Sequence, residues 1–267
     1  MIIAQISDLH IHVEGNYAYG LVNTIPMVRQ AVEHLNQLDP RPDVVVATGD
    51  LTHHGELTEY EVLREVLAPL EIPLYLLPGN HDRQQPLYEA FGQPTYMPAD
   101  SPHLQYVIDG YPVRLIMLDT VVPGEAGGEL DEARLAWLKK QLAIAPTTPT
   151  FLFLHHPPFK TNIPTMDCIG LAGNKALAEI VSQYPAIKRV AAGHLHRPIY
   201  TQWAGTIAST APSLVHQVFL DMRPDTPGQF VMEPPAYQLH LWDDDAQALV
   251  SHTVYVGDYP GPYLFGH

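Results

Sequence analysis

Five apolar runs in this chain each stop abruptly at an Asp, Asn or His, and that repetition limits the fold more than any other feature. Residues 1–7 end in Asp8-Leu9-His10, Val44-Val45-Val46-Ala47 ends in Thr48-Gly49-Asp50, and Leu76-Leu77 ends in Pro78-Gly79-Asn80-His81-Asp82. Later, residues 150–154 end in His155-His156, and Val190-Ala191-Ala192 ends in Gly193-His194-Leu195-His196. Short apolar runs bounded by turn residues read as buried strands. Between them lies helical spacing: Ile25, Val28, Val32 and Leu35 after Thr24; Leu135, Leu138 and Leu142 after Asp131; Leu177, Ile180 and Val181 after Asn174. Thr58-x-x-Glu61 has the form of a capping box ahead of Leu63 and Leu67. Strands alternating with helices predict an α/β fold. Ligands of open α/β sheets sit outside the carboxyl ends of the strands, so the five polar clusters are expected along one edge of one sheet. Oxygen and nitrogen donors gathered there without thiolate suit one or two hard-to-borderline divalent metals.

The 267 residues allow one domain with a modest appendage. Residues 1–198 carry all the strand-end clusters and are predicted as the catalytic core. Residues 199–256 read as short strands and hairpins without helices, contributing to the second sheet of the same domain. Within them a Pro-rich insertion at 222–235 suits an oligomer contact, and 257–267 is a Gly, Pro and aromatic tail. Residues 93–104 form a Pro-rich loop, and Asp109-Gly110 signals a hairpin. The segments 121–130 and 159–173 are candidate pocket walls. With 29 acidic against 14 basic residues and a net charge of −15, the chain is ill suited to a nucleic acid polymer or an anionic membrane surface. The single cysteine, Cys168, excludes an intrachain disulfide and zinc sites built on several thiolates. No apolar run approaches the ~20 residues needed to span a bilayer, and a strand already begins at residue 2, so a cytoplasmic location is expected.

Asp8-x-His10, Gly49-Asp50, Gly79-Asn80-His81-Asp82, His155 and Gly193-His194-x-His196, in that order, resemble the calcineurin-like metallophosphoesterase superfamily. The resemblance implies a four-layer α/β/β/α sandwich and two divalent metal ions, of Mn, Fe, Co or Zn. By position, Asp8, His10, Asp50 and His196 would hold one metal and Asp50, Asn80, His155 and His194 the other, Asp50 bridging. A carboxylate between two cations about 3.5–4 Å apart offsets their repulsion and leaves room for a shared hydroxide. In the His-x-His pair, strand geometry would point both rings the same way. The resemblance implies in-line attack on phosphorus by that hydroxide, with His81 protonating the leaving oxygen and Asp82 orienting its ring. Asn80 and His81 would also touch substrate, and His53 is a further substrate-binding candidate. His12, His54 and His156 are read as ordinary structural histidines, and the histidines at 34, 103, 216, 240, 252 and 267 carry no functional assignment.

After Gly49-Asp50 comes Leu51-Thr52-His53, not the Asp-Arg pair with which protein phosphatases grip a monoester dianion. The stretch looks like the phosphodiesterase branch, similar to bacterial class III cyclic-nucleotide phosphodiesterases and glycerophosphodiester phosphodiesterases. A diester carries one negative charge and needs less basic help. The expected partner is therefore a small phosphodiester, and the resemblance also implies a homo-oligomer. Two alternatives stand beside this reading: a monoesterase or nucleotidase on the same scaffold, and a non-catalytic scaffold with a decayed site.

Overall fold

The computed structural model describes residues 1–92, 94–98 and 101–266. Part of the loop predicted over 93–104, and His267 of the tail, lie outside the described residues. The chain runs β1 (Ile2–Ile6), α1 (Thr24–Gln37), β2 (Val44–Thr48), α2 (Leu57–Leu67), β3 (Leu74–Leu77), α3 (Gln84–Phe91), β4 (Tyr106–Ile108), β5 (Arg114–Leu118), β6 (Gly128–Glu129) and α4 (Glu132–Ile144). It continues through β7 (Thr150–Leu154), α5 (Pro164–Asp167), β8 (Leu171–Ala172), α6 (Asn174–Val181), β9 (Ile187–Ala192), β10 (Ile199–Trp203), β11 (Thr206–Thr210), β12 (Gln217–Val218), β13 (Phe230–Val231), β14 (Ala236–Asp243) and β15 (Ala248–Tyr255).

These strands form two large sheets. One has the order β15-β14-β1-β2-β3 and the other β10-β11-β9-β7-β5-β4. The five runs expected to carry ligands are therefore divided: β1, β2 and β3 lie in the first sheet, β7 and β9 in the second. This corrects the expectation of one edge of one sheet. Apolar runs show that strands are buried on both faces, but not which sheet they join. All five ends nevertheless point to one place, because β1-β2-β3 and β7-β9 are parallel within their sheets. The strands after residue 198 are shared as well. β10 and β11 extend the second sheet, while β14 and β15 complete the first, so the assignment of 199–256 to a second sheet alone is corrected.

Side-chain alternation accounts for the layers. Phe151, Phe153, Leu115, Met117 and Ala191 point inward and pack with Ile3, Val44 and Val46 of the facing sheet. Their neighbours Leu152, Leu154, Ile116, Leu118, Val190 and Ala192 point outward against Leu138 and Leu142 of α4 and Leu177, Ile180 and Val181 of α6. Helices α1 and α2 cover the outer face of the first sheet through Val28, Val32, Leu35, Leu63 and Val66. Helix, sheet, sheet and helix thus stack as a four-layer α/β/β/α sandwich.

Local signals explain most boundaries. Asp131 caps α4 by accepting from Arg134 N, and Gly92 ends α3 in the left-handed conformation at φ 67°. The capping box of α2 is Glu56 with Glu59, not Thr58 with Glu61. Carboxylates can serve both positions, and Glu59 is also held by the His54 N–H at 2.8 Å. Segments 121–130 and 159–173 are joined by the short pairing of β6 with β8.

Polar struts tie the two sheets together. Gln5 Nε2 donates to Thr48 Oγ1 (3.0 Å) and to Ala192 O of the other sheet (3.1 Å). His240 lies between the sheets, edge-on to Phe151 at 4.8 Å. Its nitrogens bond Ser251 Oγ (2.7 Å) and Gln5 Oε1 (3.1 Å). Burial, aided by the Arg189 guanidinium, holds its pKa well below 6.5. The unfolded chain therefore takes up a proton below that value that the folded chain refuses, and stability is lost as pH falls. The loss reaches about 1.4 kcal/mol per pH unit for one such group. A His240→Gln variant is expected to be less stable than wild type at pH 8, with the gap narrowing between pH 7 and pH 5. Denaturant titrations of both proteins across that range check it.

Candidate metal centre

Asp8 and His10 follow β1, and Asp50 follows β2. The two segments stay paired as they leave the sheet: Asp8 N donates to Gly49 O (3.0 Å) and His10 N to Asp50 O (2.9 Å). From the other sheet, His194 N donates to Asp8 Oδ1 (3.1 Å). The side chains must turn into a gap at the strand ends, and the backbone is bent to do it. Asp8, His10, Asp50, His194 and His196 all have positive φ, at 54°, 43°, 48°, 68° and 50°. Non-glycine residues held there cost roughly 1–3 kcal/mol each and persist where surrounding structure over-determines them. The His-x-His pair thus lies beyond β9 in a tight turn, Leu195 N donating to Gly193 O (2.7 Å). The expectation that a strand pleat aligns its rings is corrected. Gly49, at φ 97°, and Gly79 permit the approach, because a Cβ on either would collide with His155, and one on Gly79 also with Asp50.

The buried residues Asp8, His10, Asp50 and His196 offer donor atoms that all lie within 4.8 Å of one another. His196 Nε2 is 3.4 Å from Asp8 Oδ1, and His10 Nε2 is 3.7 Å from Asp50 Oδ2. The other oxygen of Asp50 faces the opposite way, 3.4 Å from His155 Nε2. That nitrogen is also 3.1 Å from Asn80 Oδ1, and the His194 ring stands 5.1 Å from the His155 ring. All seven residues expected as ligands converge in this way, with Asp50 between two groups of donors.

Several features fit divalent cations here. Asp8 Oδ2 is buried without a hydrogen-bond partner, a costly state for a carboxylate oxygen. His10 Nε2 and His196 Nε2 face each other at 3.2 Å. Among the described residues, the ion-pair partners of Asp8 and Asp50 are imidazoles alone. Backbone carbonyls take the far nitrogens: His155 Nδ1 donates to Thr48 O (2.8 Å), His196 Nδ1 to His216 O (2.9 Å) and His194 Nε2 to Ile169 O (3.1 Å). Each bond fixes a tautomer and leaves the other nitrogen free to ligate. His156 also lies close to His155 and His194. Its two nitrogens are already engaged by Thr120 Oγ1 (2.8 Å) and Ala126 O (3.2 Å), so it belongs to the wall.

The electrostatics divide the candidate ligand imidazoles: burial acts to lower His155, but Asp50 raises it to about 9. Burial pushes the pKa of His10 well below its usual value and that of His194 down to about 3, which keeps both in the neutral form that binds metals. Burial would raise the carboxyl of Asp50, but His155, His81 and His10 hold it well below the usual range. Burial raises Asp8, which has fewer cationic neighbours to offset it.

His81 Nδ1 donates to His53 O (2.7 Å), which leaves Nε2 free, and the residue lines two cavities. The smaller, ≈ 370 Å³, is lined by His10, Asp50, Asn80, His194 and His196. The larger, ≈ 980 Å³, extends over His54, Arg83, His103, Asp119 and Glu125. His81 and Asn80 line both. Asp82 does not orient the His81 ring. Its carboxylate accepts from Gly79 N (2.8 Å), Leu51 N (3.0 Å), Thr52 N (3.2 Å) and Tyr60 OH (2.8 Å). It thereby locks the β2 and β3 turns together, and the ring is held instead by the His53 carbonyl. The His53 ring lines the larger cavity and stacks on His81 at 5.5 Å.

Two residues at the site carried no signal in the sequence. His216, in the loop after β11, lies 5.3 Å from His10 and 4.6 Å from His196 between ring centres. Tyr19, from the loop after β1, stands edge-on to His53 at 4.9 Å. Neither sits at the end of an apolar run, and only the folded chain brings them to the gap.

The calcineurin-like phosphoesterase family matches residues 1–198. A probable glycerophosphodiester phosphodiesterase of Arcobacter nitrofigilis is 41% identical over 266 residues, 99% of this chain and 97% of that one. A glycerophosphodiester phosphodiesterase of Enterobacter lignolyticus is 34% identical, covering 99% of this chain and 95% of its own. A 3′,5′-cyclic AMP phosphodiesterase of Escherichia coli is 32% identical over 79% of this chain and 75% of its own. The fold is similar to that of a dimetal phosphatase from Danio rerio, with TM-score 0.63, 14% identity, and coverage of 96% of this chain and 99% of that one.

Asp50→Ala is expected to abolish metal pairing, giving at most one tightly held ion per chain by elemental analysis after dialysis. His156→Gln is expected to retain the wild-type stoichiometry in the same measurement.

Proposed function

Since the chain belongs to the calcineurin-like phosphoesterases and is a metal-dependent phosphodiesterase, we propose that it hydrolyses small phosphodiesters, glycerophosphodiesters foremost, at the Asp50-centred cluster. The observation that carries this reading is the division of Asp50, one oxygen toward His10 and the other toward His155. Asp8, His10, Asp50 and His196 would hold one divalent ion, and Asp50, Asn80, His155 and His194 a second, from Mn, Fe, Co or Zn. Held there, the ions supply Lewis acidity, acidifying water and neutralising charge on phosphoryl oxygens.

The chain's own residues do the rest. His81, its Nδ1 anchored on the His53 carbonyl, presents Nε2 where the two cavities meet and donates a proton to the departing alkoxide. Asn80 steadies a phosphoryl oxygen beside it. His216 and Tyr19 line the smaller cavity on the side of His10, and the larger cavity receives the alcohol portion. Asp82 acts at a distance by holding the turns that carry Asp50 and Asn80. The charge at the rim favours a diester: Arg83 is paired with Glu56 (2.8 Å) and Arg197 with Glu233 (2.6 Å), leaving little cationic help for a monoester dianion. Glycerophosphodiesters rank above cyclic nucleotides because the relatives named for them match nearly end to end.

The finer setting follows from the surface. Phe219, Leu220, Met222 and Met232 are exposed around the 222–235 insertion, which supports a homo-oligomer contact there. No helix among the described residues is long and apolar enough to cross a membrane, and the exposed free Cys168 suits the reducing cytoplasm.

A panel of glycerophosphodiesters, cyclic nucleotides and bis(p-nitrophenyl) phosphate, assayed after metal reconstitution, tests the reading. Diesters are expected to turn over faster than p-nitrophenyl phosphate, and the reverse order would favour a monoesterase. His81→Ala is expected to keep both metals and lose roughly 10²–10⁴-fold in kcat on poor leaving groups, with a smaller loss on p-nitrophenolate esters. A fall in metal content with that change would make His81 a ligand instead.

A further inference from the structure

We propose that the β12–β13 hairpin and the turn at residues 166–169 wall an uncharged subsite for the retained arm of the diester, the substituent that stays on phosphorus in the monoester product. The inference rests on reading the Asp50 cluster as a phosphodiesterase site. A diester carries two arms. His81 protonates the one that departs through the larger cavity, so the other must find room in the smaller. Beyond the candidate ligands, that smaller cavity is lined by Tyr19, Val218, Gln229 and Phe230, and by Met166 and Ile169 from the 166–169 turn.

Both stretches of lining are fastened to the cluster itself. His196 Nδ1 donates to His216 O just ahead of β12 (2.9 Å), and His194 Nε2 donates to Ile169 O (3.1 Å). Arg197, the residue after His196, ties down the hairpin. Its Nη1 donates to Val218 O on β12 (2.9 Å) and to Glu233 Oε2 past β13 (2.6 Å). Val218 pairs with Phe230 across the hairpin, and Phe219 N donates to Gln229 O (2.8 Å). Phe230 is thereby set against two rings, 5.4 Å from Tyr19 and 5.1 Å from His216 between centres.

The chemistry of this lining selects the arm. Outside the candidate ligands, it holds no Asp, Glu, Lys or Arg among the described residues. Aromatic faces and the Met166 and Ile169 side chains favour a carbon arm, and Gln229 offers a hydrogen-bonding amide to a hydroxyl on it. A monoester would place a second charged oxygen there instead, and no cationic side chain of the lining offsets the loss of its hydration.

The test uses the full, metal-reconstituted chain with methyl p-nitrophenyl phosphate and phenyl p-nitrophenyl phosphate. Both release p-nitrophenolate and differ only in the retained arm. Their kcat/KM ratio, phenyl over methyl, is compared between proteins, so intrinsic reactivity cancels. Phe230→Ala is expected to lower that ratio about 3–10-fold, through KM rather than kcat, because the contact is equal in ground and transition states. An unchanged ratio would overturn the proposal. Gln229 is exposed, so Gln229→Lys sets a cation in the lining without disturbing the core. It is expected to raise kcat/KM for p-nitrophenyl phosphate relative to methyl p-nitrophenyl phosphate about 5-fold. No rise would refute the subsite even should Phe230→Ala fail to fold. Faster turnover of p-nitrophenyl phosphate than of both diesters by wild type would instead defeat the phosphodiesterase reading, and the subsite with it.

Discussion

A buried carboxylate at the meeting of two sheets governs this molecule. Asp50 sits with one oxygen toward His10 of its own sheet and the other toward His155 of the facing sheet, while its Oδ1 also accepts His81 N at 3.0 Å. An unpaired charge so deeply buried would be prohibitively costly. The surrounding strand ends are shaped to make it tenable. Five of the candidate ligand positions accept left-handed backbone, and two glycines give up their side chains to let the turns close. Cross-sheet ties hold that shape: Gln5 to Ala192 O, His194 N to Asp8, Ser213 Oγ to Asp8 O at 2.7 Å and Tyr106 OH to Leu76 O at 2.6 Å.

The charge balance follows from the same centre. A chain with a net charge of −15 acts on an anionic substrate, and the arginines nearest the cavities are already neutralised by Glu56, Asp131 and Glu233. Positive charge at the reacting phosphate must therefore come from bound cations, whose own charge dominates such a site. The protein supplies His10 and His194 as neutral imidazoles, fixed tautomers and a ring, His81, aimed from a carbonyl anchor.

How much of this was legible in the sequence depended on whether a signal was local. Strand ends were legible, because an apolar run that halts at Gly-Asp or Gly-Asn-His-Asp states both the element and its terminus. All seven ligand candidates were read that way, and the fold brings them together. The division into two sheets was not, since nothing in β7 or β9 distinguishes their sheet from that of β1. The role of Asp82 was misread for a related reason: an Asp beside a His suggests a pair, but its carboxylate accepts from Gly79, Leu51, Thr52 and Tyr60, the last three visible only after folding. His216 and Tyr19 lie in loops whose sequence carries no period and no motif. Even the α2 cap went to Glu56 and Glu59, because Glu59 also faces His54 just ahead of the helix and His12 from the turn after β1.

The most direct test of the account is anomalous diffraction from crystals of manganese-loaded protein. Two peaks are predicted about 3.5–4 Å apart, one beside Asp8, His10 and His196, the other beside Asn80, His155 and His194, with the Asp50 carboxylate lying between them. A single peak, or two peaks with Asp50 touching neither, would contradict it.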